Sequence, residues 1–301
     1  MKLKTLIVAG LALLSAPLVA QEKLAVATLH PMLTDLAQQV GGANITVRAI
    51  MPAGTDVHTF SPSPAQVKQM ASCKLVLASG KHLENYLDKL KDNLGKGATL
   101  IEVGRTIPSL TINAKDAAFV CCPAHSDGAL DPHWWNSLEN MSRAADVLAT
   151  EFSKADPSNA AAFAANAKAY QATLRELKKW AKKEISTIPS GMRIIPTAHL
   201  ALSYFAKEFG FKLLPIQGLS TQQKASSQEV VEAIAKIKST GVPVIFLEAG
   251  TNSKHVEEIV RETGTKKGGE LVADGNGTDA RFGFVAGFKH NVTTIVAGLR
   301  K

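Results

Sequence analysis

The stretch "SNAAAFAANAKAYQATLRELKKWAKKEIS", residues 158–186, decides how the rest of the chain is read. No Gly or Pro interrupts it, so nothing in it breaks a helix. Phe163, Tyr170, Leu174, Leu177 and Ile185 recur at roughly helical spacing and give it one apolar stripe. Pro157 precedes it, and Pro189 and Gly191 close it. At 1.5 Å of rise per residue such a helix spans about 40 Å, more than one small lobe offers. It is therefore expected to fill residues 157–188 as a rigid strut between two lobes, rather than to lie on the face of one domain as an ordinary amphipathic helix.

Outward from that helix, both flanks alternate short apolar runs with helical ones. On the N-terminal side "LAVAT" (24–28), "ITVRAI" (45–50), "KLVLAS" (74–79) and "ATLIEV" (98–103) read as strands. Between them lie helices opened by Pro31, by Ser63 and Pro64, and over "LENYLDKLKDNL" (83–94). A further helix is expected from Trp135 to about Asp156. After Pro189, "MRIIPT", "KLLPI", "VPVIFLEAG" and "GELVADG" alternate with four more helical segments. Short apolar β-runs separated by helices imply parallel sheets with both faces covered. The expected fold class is α/β, with two lobes, 21–156 and 189–301, each holding a mostly parallel sheet flanked by helices and joined by the one long helix.

The first residues stand apart from this rhythm. "MKLKTLIVAGLALLSAPLVA" has two lysines, an apolar run and then small residues, the pattern of a secretory signal peptide spanning residues 1–20. The run is too short for a membrane span, and no second apolar stretch of about 20 residues follows. No cysteine follows it to carry a lipid anchor. The mature chain is thus expected to be exported, periplasmic and soluble, without stable membrane insertion. Its formal charge of +8 falls to +6 without Lys2 and Lys4. The remaining lysines are scattered over helix faces with no aromatic-interleaved basic run, which argues for a solvated surface and against a nucleic-acid partner. Cys73, Cys121 and Cys122 are an odd number of thiols. Cys73, at a strand start, reads as a small buried residue. Cys121 and Cys122, in "CCPAH", could bind a soft metal beside His125, or one of them could bridge to Cys73; neither has the C-x-x-C spacing of a zinc site.

Open α/β sheets bind ligands at the carboxyl ends of their strands. His58 follows "ITVRAI" through the turn-rich "MPAGTDVHTF". His133 lies in "DPHWW" at an expected helix start, where the partial positive charge disfavours imidazolium and keeps a metal-competent neutral ring. His199 follows "RIIPT", and Asp274 follows "GELVA" with Gly275 and Gly277 allowing a tight turn. Singly, each reads as an ordinary loop or core residue. Together they put three imidazoles and one carboxylate at the C-terminal ends of strands, two from each lobe. Such a set satisfies four-coordinate Zn²⁺, whereas a harder ion such as Mn²⁺ prefers more oxygen. Glu248, ending the strand "VIFLE", is expected to orient a ligand or backbone from behind. Trp134 and Trp135 could shield the site, but both are expected to pack in the core or at the lobe interface; of the two, Trp134 is placed behind the ligands with Glu248. His30, beside Pro31, lies near a strand end and could approach the cleft.

On these residues the chain resembles the metal-binding solute-binding proteins of bacterial ABC importers, the zinc and manganese group with two lobes joined by one long helix. "PAGTDVHTFSPSPAQV" is similar to that family's first ligand segment and "DPHWW" to its Asp-Pro-His-x-Trp segment. "TAHLALSYFAKEFGF" is similar to the third ligand segment, and "LVADGNG" to the Asp-bearing turn near the end. The resemblance covers essentially the whole mature chain. It implies that His58, His133, His199 and Asp274 are the metal ligands, that His199 in place of Glu points to zinc, and that the alternative metal is manganese. It further implies a monomeric, non-enzymatic receptor of high affinity whose partner is the membrane permease of the importer. Lobe closure limited by the long helix would leave local loop ordering as the signal to that permease. The chain departs from the family in "WNSLEN" after the tryptophans and in a short "CCPAHSDGAL" where zinc members often carry a His- and acid-rich loop. His125, Asp127, Cys121 and Cys122 are candidates for a remnant accessory metal loop. A manganese or iron receptor of the same group is one rival reading. A secreted zinc hydrolase is another, weakened by the absence of H-E-x-x-H and G-x-S-x-G; a binder of an organic or chelated ligand is a third.

Overall fold

Residues of alternating side in the first strands explain the N-terminal half. β1 (Leu24–Thr28), β2 (Ile45–Ala49), β3 (Leu75–Ala78) and β4 (Thr99–Glu102) pair in parallel in the order β2-β1-β3-β4. Successive side chains of a strand face opposite sides. Leu24, Val26, Leu75 and Leu77 accordingly enter one core, while Ala27, Val76 and Ala78 enter a second. The computed structural model describes residues 22–112, 128–216, 221, 227–250, 254–275 and 283–300. Helices α1 (Pro31–Gly41), α2 (Pro64–Ala71) and α3 (Leu87–Asn93) cover the sheet. Ser63 and Gln66 close a reciprocal capping box at the start of α2, as the Ser-Pro signal implies. The helix expected over 83–94 is shorter because Lys81 and His82 take positive φ (55° and 63°), and the Glu84 carboxylate accepts the Ser79 and Gly80 N–H groups instead.

Next comes α4 (Leu138–Ala155). It starts three residues later than expected because Trp134–Asn136 form a 3₁₀ turn and Ser137 is the true N-cap, accepting from Asn140 N. After a second 3₁₀ turn at Pro157–Asn159, α5 runs unbroken from Ala160 to Ile185, 26 residues or about 39 Å. It is not a bare strut. Phe163, Ala167, Tyr170, Leu174, Leu177, Ala181 and Ile185 form one buried stripe in the principal core, which α1 and α4 share with α9 (Phe284–Leu299). Asn166 donates to Val40 O and Gln171 to Ser142 O, pinning its first turns.

In the C-terminal half, β5 (Ile194–Thr197) pairs in parallel with β6 (Lys212–Pro215), and β7 (Val244–Glu248) with β8 (Lys266–Leu271). α6 (Ser203–Phe209), α7 (Ser227–Thr240) and α8 (Lys254–Thr263) flank them. Val244 and Phe246 face the principal core and Ile245 a smaller one. β8 stops at Leu271, so "VADG" is loop rather than strand.

The halves are fastened by polar groups near the helix. Asp35 of α1 accepts the Phe284 N–H at the start of α9 (2.9 Å). In return, Glu208, just past Lys207 in α6, accepts Ser137 Oγ (2.7 Å) and Leu138 N (3.0 Å) at the start of α4. Tyr204 Oη donates to Asp131 O and accepts from Leu110 N.

Candidate metal centre

His58 sits on the loop after β2, where the Asp56 Oδ1 accepts its backbone N–H (2.8 Å). The other Asp56 oxygen accepts Thr221 Oγ1 (2.5 Å) from the opposite half. His199 follows β5, and Asp274 lies in the loop after β8. His133 departs from the expectation: it follows no strand and heads a three-residue 3₁₀ turn rather than a helix. A helix terminus therefore does not set its ring. Asp131 does. Its Oδ1 accepts both the His133 backbone N–H (2.9 Å) and ring Nδ1–H (2.8 Å), which leaves Nε2 as the ring's lone-pair nitrogen. His199 is held alike. Glu248 Oε1 accepts its backbone N–H (3.1 Å), and Oε2 accepts Nδ1–H in a very short contact. Two buried carboxylates thus fix the tautomers of two histidines and aim both Nε2 atoms inward.

The four side chains converge. One donor atom from each of His58, His133, His199 and Asp274 lies within 4.8 Å of every other. His58 Nε2 is 3.3 Å from His133 Nε2 and 3.6 Å from Asp274 Oδ2. His199 Nε2 is 3.3 Å from Asp274 Oδ2, and His133 Nε2 is 3.8 Å from Asp274 Oδ1. A tetrahedron with bonds of about 2.1 Å to its centre has edges of about 3.4 Å. The three separations that join the imidazoles and Asp274 Oδ2, 3.3, 3.6 and 3.3 Å, lie near such edges, and all four donors lie within 4.8 Å of one another. His199 Nε2 and Asp274 Oδ1 make no hydrogen bond among the described residues although both are buried. The close His199–Asp274 pair is in ion-pair range without hydrogen-bond geometry. The unbonded His199 Nε2, buried and facing Asp274 Oδ2 and the other imidazoles, fits a divalent cation with nitrogen and oxygen donors.

Burial dominates the electrostatics and is answered by the carboxylates. It pulls His58 below the ordinary 6.5 in spite of Asp274. Burial also opposes a charged His199, but Glu248 and Asp274 outweigh it and hold the ring well above 6.5. Asp274, which burial alone would raise, is held well below 3.8 by His199 first and then by His58 and His133.

Around these four, Glu248 stands where the sequence placed it. Trp134 does not: its Nε1 donates to Ser79 O (3.1 Å) on the β3 side. It rests on Gly104, where any Cβ would come within 2.5 Å of the indole nitrogen. The indole in ring contact with His133 is that of Trp135, at 5.3 Å, and its Nε1 donates to Ala273 O (2.8 Å). Asn136 Nδ2 donates to both Ala201 O (3.0 Å) and Ala273 O (2.9 Å), tying together the loops that carry His199 and Asp274. His30, set aside by the resemblance, is buried against Trp135 with ring centroids 4.2 Å apart. Burial brings its ring down to about 3. The Asp of "DPH", two residues before the histidine, was the available signal for Asp131; Asn136 had none. Cys73 is buried and makes no disulfide among the described residues. Cys121, Cys122, His125 and Asp127 lie outside the described residues.

Parallel sheets, a long packed helix and an inward-facing cluster of three imidazoles and a carboxylate from both halves define a metal-binding receptor fold. The chain belongs to the family described as "Zinc-uptake complex component A periplasmic", which matches residues 26–298, and thus to the metal-binding solute-binding proteins of ABC importers. It is 32% identical over 288 residues to the manganese-binding lipoprotein MntA of Bacillus subtilis (strain 168), covering 93% of this chain and 91% of that protein. It is 28% identical over 290 residues to the zinc-binding protein TroA of Treponema pallidum, covering 94% and 91%. It is 26% identical over 253 residues to the iron-binding protein YfeA of Yersinia pestis, covering 84% and 78%. The solved structure of periplasmic TroA superposes with a TM-score of 0.83 at 27% identity, over 93% of this chain and 100% of that one.

Proposed function

We propose that this protein captures Zn²⁺ at His58, His133, His199 and Asp274 and delivers it to the membrane permease of an ABC importer. The observation that carries the reading is the convergence of four donor atoms within 4.8 Å of one another, with separations of 3.3 to 3.6 Å among those that involve Asp274 Oδ2 or the His58–His133 pair, near the edges of a zinc tetrahedron. Three of the four donors are imidazole nitrogens, which suit a borderline ion better than a hard one. Manganese is the second reading, because the relative from Bacillus subtilis is named for that metal. A hydrolase is disfavoured: catalytic zinc keeps an open position beside three protein ligands, and here four donors already converge.

The chain divides in this reading into a leader (1–20), an N-terminal metal-binding unit (21–156), a linking helix (157–188) and a C-terminal unit (189–301). It works as an exported monomer. No helix among the described residues is long and apolar enough to cross a membrane. Isothermal titration of chelator-stripped protein tests the proposal. One Zn²⁺ per chain, strong competition against Mn²⁺, and loss of binding in His133→Ala are expected. Failure to take up zinc, or unchanged affinity in that variant, overturns it; preference for Mn²⁺ overturns the choice of metal.

A further inference from the structure

His30 is a fourth imidazole near the centre and is not one of the four converging donors. Its Nδ1 accepts the Met32 N–H (3.1 Å) and so caps α1. A neutral ring that accepts at Nδ1 carries its proton on Nε2. His30 is 1% exposed, and Nε2 has no hydrogen-bond partner among the described residues. A buried donor left unmatched costs about 1–3 kcal/mol, so a fixed one calls for an acceptor. Asp274 Oδ1 is the complementary case, a buried acceptor with no hydrogen bond.

The segments that carry them pack together from opposite halves, with the two side chains themselves beyond direct hydrogen-bond reach. The turn after Asp274 packs on the start of α1: a Cβ on Gly275, whose φ is +72°, would stand 3.2 Å from Pro31 and Met32. Trp135 touches the His30 ring on one side and the His133 ring on another. After burial, Asp274 is the largest influence on His30. Asp274 also has unequal oxygens. Oδ2 lies 3.6 Å from His58 Nε2 and 3.3 Å from His199 Nε2, whereas Oδ1 is 3.8 Å from His133 Nε2 and outside the tightest contacts.

We propose that His30 donates its Nε2–H to Asp274 Oδ1 through one bridging water, and thereby restricts Asp274 to one metal-binding oxygen. This inference rests on the four-ligand reading above and adds a positioning residue that sets metal selectivity. With Oδ1 engaged, Asp274 offers only Oδ2 and the centre stays four-coordinate, which suits zinc. With Oδ1 released, the same carboxylate can chelate and supply the extra oxygen that Mn²⁺ prefers.

The test uses the full mature chain loaded with Co²⁺, whose visible bands are strong in four-coordinate sites and weak at higher coordination. His30→Asn keeps an oxygen to cap α1 but removes the distant donor; His30→Gln places an amide N–H near the old Nε2 position. Wild type should give strong bands and His30→Asn weak ones, with His30→Gln restoring them. The Zn²⁺-to-Mn²⁺ affinity ratio should fall about tenfold or more in His30→Asn, the scale of an outer-shell contact. Thermal melting of the metal-free forms shows that each variant is folded. A spectrum and affinity ratio unchanged in His30→Asn overturn the role of His30 while leaving the centre intact. Absence of any cobalt or zinc binding in wild type overturns the four-ligand reading itself.

Discussion

Asp131 binds His133 through a single oxygen, its Oδ1 lying 2.9 Å from the backbone N and 2.8 Å from the ring Nδ1. Glu248 performs the same task on His199 with its two oxygens divided, one for the backbone and one for the ring. The difference decides how each site tolerates an amide.

Glu248→Gln should weaken metal binding about 10- to 100-fold. Gln has one acceptor oxygen for two donors, so its amide N–H₂ confronts either the backbone or Nδ1. If it faces Nδ1, the ring must move its proton to Nε2, the atom aimed at the metal. Asp131→Asn can keep its single oxygen in place, since Oδ2 has no hydrogen bond to lose. Its loss should stay below about tenfold. Chelator-competition titration checks the order of the two; an equal or inverted ranking contradicts this account of the tautomers.

Zinc affinity should rise with pH through neutrality by about tenfold per unit, the slope of one released proton. His199 supplies it: its carboxylate neighbours hold the ring protonated above 6.5 in the metal-free chain, while His58 is already neutral. The sign for folding follows separately. The raised His199 contributes stability fully below 6.5, lost as pH climbs through its elevated value. The depressed Asp274 contributes above 3.8, lost as pH falls through its lowered value. Calorimetry in two buffers of different ionisation enthalpy counts the proton; a count of zero refutes the assignment.

Asn136→Ala should cost about 1–3 kcal/mol, the range for leaving a buried carbonyl unmatched. Ala201 O loses this donor outright, while Ala273 O keeps the Trp135 Nε1–H; the two carbonyls adjoin the loops of His199 and Asp274. Zinc affinity should therefore fall along with the urea midpoint. Retained affinity in a destabilised variant would show that the loops hold their geometry without this bridge.

Zinc at about a thousand times its Kd should stabilise the fold by about 4 kcal/mol. A scanning-fluorimetry shift of several degrees is the readout. His58→Ala should abolish the shift, because it removes one of the four converging donors.

The sequence was most legible where local chemistry is self-contained. Helix α5 announced itself by its uninterrupted stripe, α2 by Ser63 and Pro64, and the four strands of the first sheet by short apolar runs. The positions of His58, His199, Glu248 and Asp274 followed from strand ends. What escaped reading depends on partners distant in the chain. Trp134 and Trp135 are adjacent and chemically alike, yet one turns to Ser79 and the other to Ala273, 138 residues away. His133 was expected at a helix start, but Ser137, a better cap, moved the helix on and left Asp131 to orient the ring. His30 was read as able to approach the cleft, but its full burial depends on Trp135, more than a hundred residues along the chain.

Asp35 and Glu208 form an exchange of carboxylates, each half terminating a helix of the other. Swinging the halves apart as rigid bodies would strip the α9 start of Asp35, and the α4 start, which keeps its Ser137 cap, of Glu208, at about 0.5–1.5 kcal/mol for each hydrogen bond lost. A jaw-like opening is therefore resisted. Any response to cargo is left to local segments, such as the His58 loop that the Asp56–Thr221 hydrogen bond ties to the opposite half, rather than to the width of a gap.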